Sequence, residues 1–167
     1  MKYSQKNYGF TLVEMLMVVF VIAILAGMIL PRLSQAPIRA RDARRISDLH
    51  NLQSMLELYF SIYAKYPPVS EVNPFSWQGL SDYLKSKIQT SRIPADPRPD
   101  YSYFYCTSQD QGPQDYILGA RLETPSPTDD PNLKTDIDGS IPSGWSCTTT
   151  GVNCNDTAGS PYYCVGP

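Results

Sequence analysis

The stretch Gly9-Phe10-Thr11-Leu12-Val13-Glu14 opens an apolar run, residues 10–30 (FTLVEMLMVVFVIAILAGMIL), that holds one charge, Glu14, and no proline. Coiled as a helix at ~1.5 Å per residue, the run reaches about 31 Å, close to the ~30 Å hydrocarbon thickness of a bilayer. A membrane span is therefore expected over residues 10–30. Glu14 sits about 6 Å, one turn, into it. An ionisable group in a span costs roughly 2.5–3.5 kcal/mol at the helix centre and less near an end, and by default it marks a function.

Two ordinary explanations of the run fail on particulars. A secretory signal has an apolar region of roughly 7–15 residues followed by a small-residue cleavage site. Here the run is longer and acidic, and the only passable site, Ser34-Gln35-Ala36, is followed by Pro37. A plain anchor needs no acid. A third arrangement uses every part: a polar leader with Lys2 and Lys6 ends in Gly9, Phe10 follows at once, and Glu14 stands four residues after that aromatic.

This pattern resembles the class III leader of type IV pilins and of the pseudopilins of type II secretion. The resemblance implies that a prepilin peptidase cuts between Gly9 and Phe10 on the cytoplasmic side and methylates the new Phe10 amine, leaving the apolar helix on the mature protein. It also gives Glu14 a task. A carboxylate in the first turn is favoured by the helix dipole, and in a filament Glu14 of one subunit would neutralise the Phe10 ammonium of its neighbour. Either charge buried alone costs several kcal/mol, and pairing offsets most of that. The pair would set the axial register of subunits.

Of the 167 residues, roughly 135 remain beyond leader and span, enough for one domain with a real core. Through Lys65 there are eight basic and four acidic residues, and from Tyr66 onward six basic and twelve acidic. The acidic distal half argues against nucleic acid as a partner. Cys106, Cys147, Cys154 and Cys164 all lie in the last third, and an even count in an exported domain reads as two disulfides. Three connectivities are open; the expected one pairs Cys147 with Cys154 around a small loop and Cys106 with Cys164. No CxxC pair or nearby histidine supports zinc.

Pro31 follows the span, with Gly27 one turn before it and Pro37 after it, so residues 31–37 read as a flexible joint. The resemblance implies a place where the helix bends or melts during assembly. From Ile38 to about Tyr63 the pattern is helical: Ala43, Ile46, Leu49, Gln53, Leu56, Phe60 and Tyr63 recur at three or four residues, and Leu52 and Tyr59 widen the stripe. Arg39, Arg41, Arg44, Arg45, Asp42, Asp48 and Glu57 are assigned to the opposite face, where the arginines would pair with acids of neighbouring subunits or be solvated. Tyr66-Pro67-Pro68 stops the helix. The segment ARDARRISDLHNLQSMLELYFSIYAKYP resembles the corresponding helix of pilins and pseudopilins. Counted over Lys and Arg flanking the span, two before and five after, the positive-inside rule opposes an outward domain. The cleavage motif and the cysteines outweigh it.

Further on, residues 77–88 (WQGLSDYLKSKI) read as a short helix, 101–106 and 116–122 as strands, 123–144 as a loop rich in proline and aspartate, and 161–165 as a last strand. The sum is an α+β, pilin-like fold: a long N-terminal helix, apolar in its first half, packed on a small antiparallel sheet. The layout expected is a leader at 1–9, a membrane or filament-core helix at 10–30, the joint at 31–37 and a soluble domain at 38–167 with a disulfide-bonded C-terminal region.

The lone His50 has no catalytic partner, and no nucleophile elbow or phosphate loop is present, so no enzyme is expected. Asp136-Ile137-Asp138-Gly139, after Asp129-Asp130, offers hard oxygen ligands suited to calcium, although it lacks the EF-hand spacing. Calcium in a C-terminal acidic loop is also what the resemblance to major pseudopilins implies, with Asp136 and Asp138 as ligands. Asn155-Asp156-Thr157 fits a glycosylation sequon. The function expected is a type IV pilus or pilus-like filament subunit. A type II secretion pseudopilin and a single-pass anchor carrying a binding domain are the alternatives. The partners implied are copies of itself, prepilin peptidase, the assembly machinery and the membrane. The location implied is the inner or cytoplasmic membrane before assembly, then a surface or periplasmic filament.

Overall fold

The computed structural model describes residues 9–33, 35–72, 75–108, 112–124, 137, 139–154 and 162–167, with backbone alone at 28–33. The chain divides into two units, Met1–Pro37 and Ile38–Pro167.

The first unit contains helix α1 (Leu12–Leu33). Its described apolar side chains, from Leu12 to Leu25, are exposed on every side. Among the described residues, no helix is long and apolar enough to cross a membrane; α1 contributes side chains only to residue 27. The helix passes through Pro31 to Leu33, and α2 (Ala36–Tyr63) begins three residues later. Pro37 falls in the first turn of α2, where a missing N–H has no intrahelical acceptor to lose.

The second unit is built on α2 and a four-stranded antiparallel sheet of order β3-β1-β2-β4. The strands are β1 (Phe104–Ser108), β2 (Tyr116–Arg121), β3 (Trp145–Cys147) and β4 (Tyr162–Val165). Side chains alternate across the sheet as the pleat requires. Tyr103, Tyr105, Tyr116, Leu118, Ala120, Tyr163 and Val165 join the core that α2 supplies with Leu49, Leu52, Leu56 and Tyr59. The alternate strand residues, Phe104, Cys106, Ile117 and Cys164, face the other way into a second, smaller core covered by Ile141, Trp145, Val152 and Cys154. This is helix, sheet and loop in three layers.

The helical stripe is rotated from its sequence expectation. Asp42, Arg45, Leu49, Leu52, Leu56 and Tyr59 are the buried residues of α2, whereas Ala43 is exposed and Tyr63 is 39% exposed. α2 stops at Ala64, which takes a left-handed conformation (φ 53°) while its N–H donates to the Phe60 carbonyl at 2.7 Å, before the Tyr-Pro-Pro sequence is reached. A short 3-10 turn (Val69–Glu71) leads to α3 (Trp77–Ile88), whose bounds agree with the sequence reading. Ser76 caps α3 by accepting the Gly79 N–H at 3.2 Å. The Trp77 indole N–H donates to the Pro94 carbonyl and its ring packs edge-on against Tyr103.

Two disulfides close the unit, and their pairing differs from the expected one. Cys106 pairs with Cys147 and Cys154 with Cys164. The reason is the third strand: Cys106 and Cys147 are directly opposed in the β1–β3 ladder, so their Cα atoms lie 4.0 Å apart. The isolated bridge Gly139↔Cys154, with N–H to carbonyl bonds of 3.1 and 3.0 Å, sets Cys154 beside the last strand.

Candidate functional site: the N-terminal motif and the base of the second helix

At the start of α1, Gly9 and Phe10 are exposed, Phe10 at 76%. Thr11 is the residue before the helix, and it forms a reciprocal pair with Glu14. The Glu14 N–H donates to Thr11 Oγ1 at 3.3 Å, and the Thr11 N–H and hydroxyl both donate to Glu14 Oε2, at 3.2 and 3.0 Å. This is a capping box, which satisfies orphan donors of the first turn from both directions. The signal was in the sequence as Thr-x-x-Glu.

Gly27 and Pro31 both lie within α1. Asp129, Asp130, Asp136 and Asp138, the expected calcium ligands and their neighbours, fall outside the described residues, as does Asn155-Asp156-Thr157. Among the described residues no cluster of His, Cys, Asp or Glu could hold a metal. His50 is exposed; its Nδ1 lies 2.9 Å from Gln53 Oε1.

At the base of α2, Arg39 and Arg44 are exposed as expected, but Arg41 and Arg45 turn to acids of their own chain. Arg45 is fully buried and pairs with three carboxylates of its own chain. Its Nε and Nη2 donate to the two Asp96 oxygens at 2.7 and 2.8 Å, and its Nη1 donates to Asp42 and to Glu123, each at 2.7 Å. Arg41 forks onto Glu123 at 2.7 and 2.6 Å. Asp42 accepts the Glu123 and Thr124 N–H groups and the Thr124 hydroxyl, the last at 2.6 Å. The hydrogen bonds from Arg41, then those from Arg45, outweigh burial and push the Glu123 carboxyl down to about 2. Burial alone would lower the Arg45 pKa, but the bonds to Asp96 and Glu123 raise it. Arg45 and Arg98 also stand over the Tyr101 ring, at 5.1 and 4.7 Å from its centroid. Arg44, by contrast, is largely exposed and 3.6 Å from Asp48.

An uncovered apolar helix opened by a capped acid, carried in sequence ahead of a helix-on-sheet unit, is a pilin-like α+β arrangement. Residues 4–30 match the prokaryotic N-terminal methylation motif. In this motif and in the relatives it matches, the chain is similar to the type IV pilin and type II secretion pseudopilin family. It is 28% identical over 117 residues to type II secretion system core protein G of Dickeya chrysanthemi, covering 69% of each chain. To the protein of the same name from Pectobacterium carotovorum subsp. carotovorum it is 29% identical over 121 residues, 70% of each. The Pseudomonas aeruginosa protein of that name is 29% identical over 129 residues, 70% of this chain and 85% of its own. No solved structure gives a significant match. The family is one of structural subunits rather than enzymes. These relatives favour the secretion pseudopilin over the pilus subunit that was the leading sequence expectation.

Proposed function

We propose that the chain is a subunit of a type II secretion pseudopilus, made as a precursor, cut after Gly9, methylated at the Phe10 amine and packed into a periplasmic filament. The observation that carries this reading is the methylation motif at 4–30 on a chain whose relatives are secretion core proteins. The α1 side chains, apolar and uncovered in one subunit, suit burial against other copies. In this reading residues 1–9 are the leader, 10–30 serve first as membrane anchor and then as filament core, and Gly27 and Pro31 loosen the helix ahead of the soluble unit. Glu14 answers the Phe10 ammonium of an adjacent copy. Copies of itself, prepilin peptidase and the secretion assembly machinery are its partners.

Intact-mass analysis of the membrane-extracted protein tests the processing: the expected mass lacks residues 1–9 and gains one methyl group. Material from functional filaments that still begins at Met1 would end the proposal. Deleting the chain separates the two filament classes, because a pseudopilin deletion stops export of secreted proteins while surface pili persist.

A further inference from the structure

The buried face of α2 changes character along its length. From Leu49 onward it is apolar: Leu49, Leu52, Leu56 and Tyr59 are each no more than 1% exposed. Between residues 38 and 48 the only buried side chains are Asp42 and Arg45. That end of the helix is held chiefly by charge and hydrogen bonds to residues remote in sequence: Asp96 in the connector between α3 and β1, Glu123-Thr124 just after β2, and Tyr103, whose hydroxyl donates to Asp48. Among the described residues, half-buried Ile46 is its one apolar contact to the core. The rest of the unit rests on apolar packing and two disulfides. Apolar burial has no direction and survives small displacements. An ion cluster works only when every partner is in place, and losing one partner leaves the others buried and unpaired.

We propose that Asp42, Arg45, Asp96 and Glu123 form a latch, a cooperative unit of its own, that fixes residues 38–48 and can open while the sheet and residues 49–63 stay folded. It has parts on three chain segments, and each contributes at least one bond of 2.8 Å or less: Arg45 to Asp42, Arg45 to Asp96, and both Arg41 and Arg45 to Glu123. The proposal does not depend on which filament the subunit enters.

Native-state hydrogen exchange on the full chain in detergent, read by mass spectrometry at pH 7, tests it. In Asp42→Asn, amides of residues 38–48 should exchange on the order of 100-fold faster, while those of residues 49–63, β1 and β2 change by less than about threefold. Uniform acceleration across the unit, or none at 38–48, would overturn the latch. Should that variant not fold, wild-type protein in low urea decides the matter. Opening of residues 38–48 should depend on urea less steeply than opening of the sheet, because less surface is exposed. Equal slopes would overturn it.

Discussion

The two disulfides close loops of very different length, and this gives a quantitative expectation for each. Cys106–Cys147 links residues 41 apart in sequence, and Cys154–Cys164 links residues 10 apart. Under the chain-entropy account the longer closure stabilises by about 3.9 kcal/mol and the shorter by about 2.7 kcal/mol. Substituting cysteines by alanine mixes this with lost packing, since Cys106, Cys154 and Cys164 are buried. The cleaner perturbation keeps one bond and reduces it. In Cys154→Ala/Cys164→Ala only Cys106–Cys147 remains, and in Cys106→Ala/Cys147→Ala only Cys154–Cys164. Urea unfolding of each variant, with and without reductant, then isolates one closure at constant side-chain volume. At about 4 °C per kcal/mol for a unit of this size, the thermal midpoints should fall by roughly 15 °C and 10 °C. Fluorescence of Trp145, in the smaller core beside Cys147, adds a local probe of the first bond. A larger loss on reducing the short closure than the long one would refute the entropic reasoning, and so would a loss under about 1 kcal/mol for either.

Other expectations follow from single positions. The folded Glu123 carboxyl titrates near 2 against an ordinary 4.5, so its contribution to stability is fully present above pH 4.5 and disappears as pH falls toward 2. Glu123→Gln should flatten that part of the stability–pH curve, and an unchanged slope would contradict the assignment. Gly119 lies opposite Phe104 in the β1–β2 ladder, and the Phe104 ring occupies the space a Cβ would need. Gly119→Ala should destabilise by about 1–3 kcal/mol, with partial recovery in Gly119→Ala/Phe104→Leu, measured by urea unfolding. Ala64 is left-handed at the end of α2, so Ala64→Gly should raise stability by about 1 kcal/mol; a lowered thermal midpoint would show that the cap tolerates its Cβ.

Elements with a strong local signature were legible in the chain itself. α3 carries a serine cap, apolar residues one turn apart and a proline-rich exit, and its observed bounds agree with the expected ones. β2 and β4 are aromatic and branched runs between turn residues, and both are found. β3 was not legible. Three residues, Trp145-Ser146-Cys147, cannot display a period, and what fixes them is a ladder and a disulfide to a strand some forty residues away. The same blindness misplaced Arg45 and Asp42. A charged side chain is assigned to solvent unless its partners are known, and these lie 51 and 78 residues from Arg45. Burial of charge is a tertiary property, and helical periodicity cannot report it.

Glu14 shows how the two kinds of information combine. In the sequence it is an acid in an apolar run; in the single subunit it already has a task, accepting two donors from Thr11 at the helix start. The two roles differ in size. A capping interaction contributes about 1 kcal/mol, whereas a buried ammonium left without its counter-charge costs roughly 3–5 kcal/mol. Thr11→Ala should therefore loosen the first turn yet leave filaments forming, while Glu14→Ala should leave cleavage intact and abolish incorporation. Electron microscopy of sheared filaments beside an immunoblot for the cleaved form distinguishes them. If the two substitutions reduced filaments equally, orientation of the carboxylate by the Thr11 hydroxyl would outweigh its charge, and the pairing of Glu14 with a neighbouring Phe10 amine would lose its energetic basis.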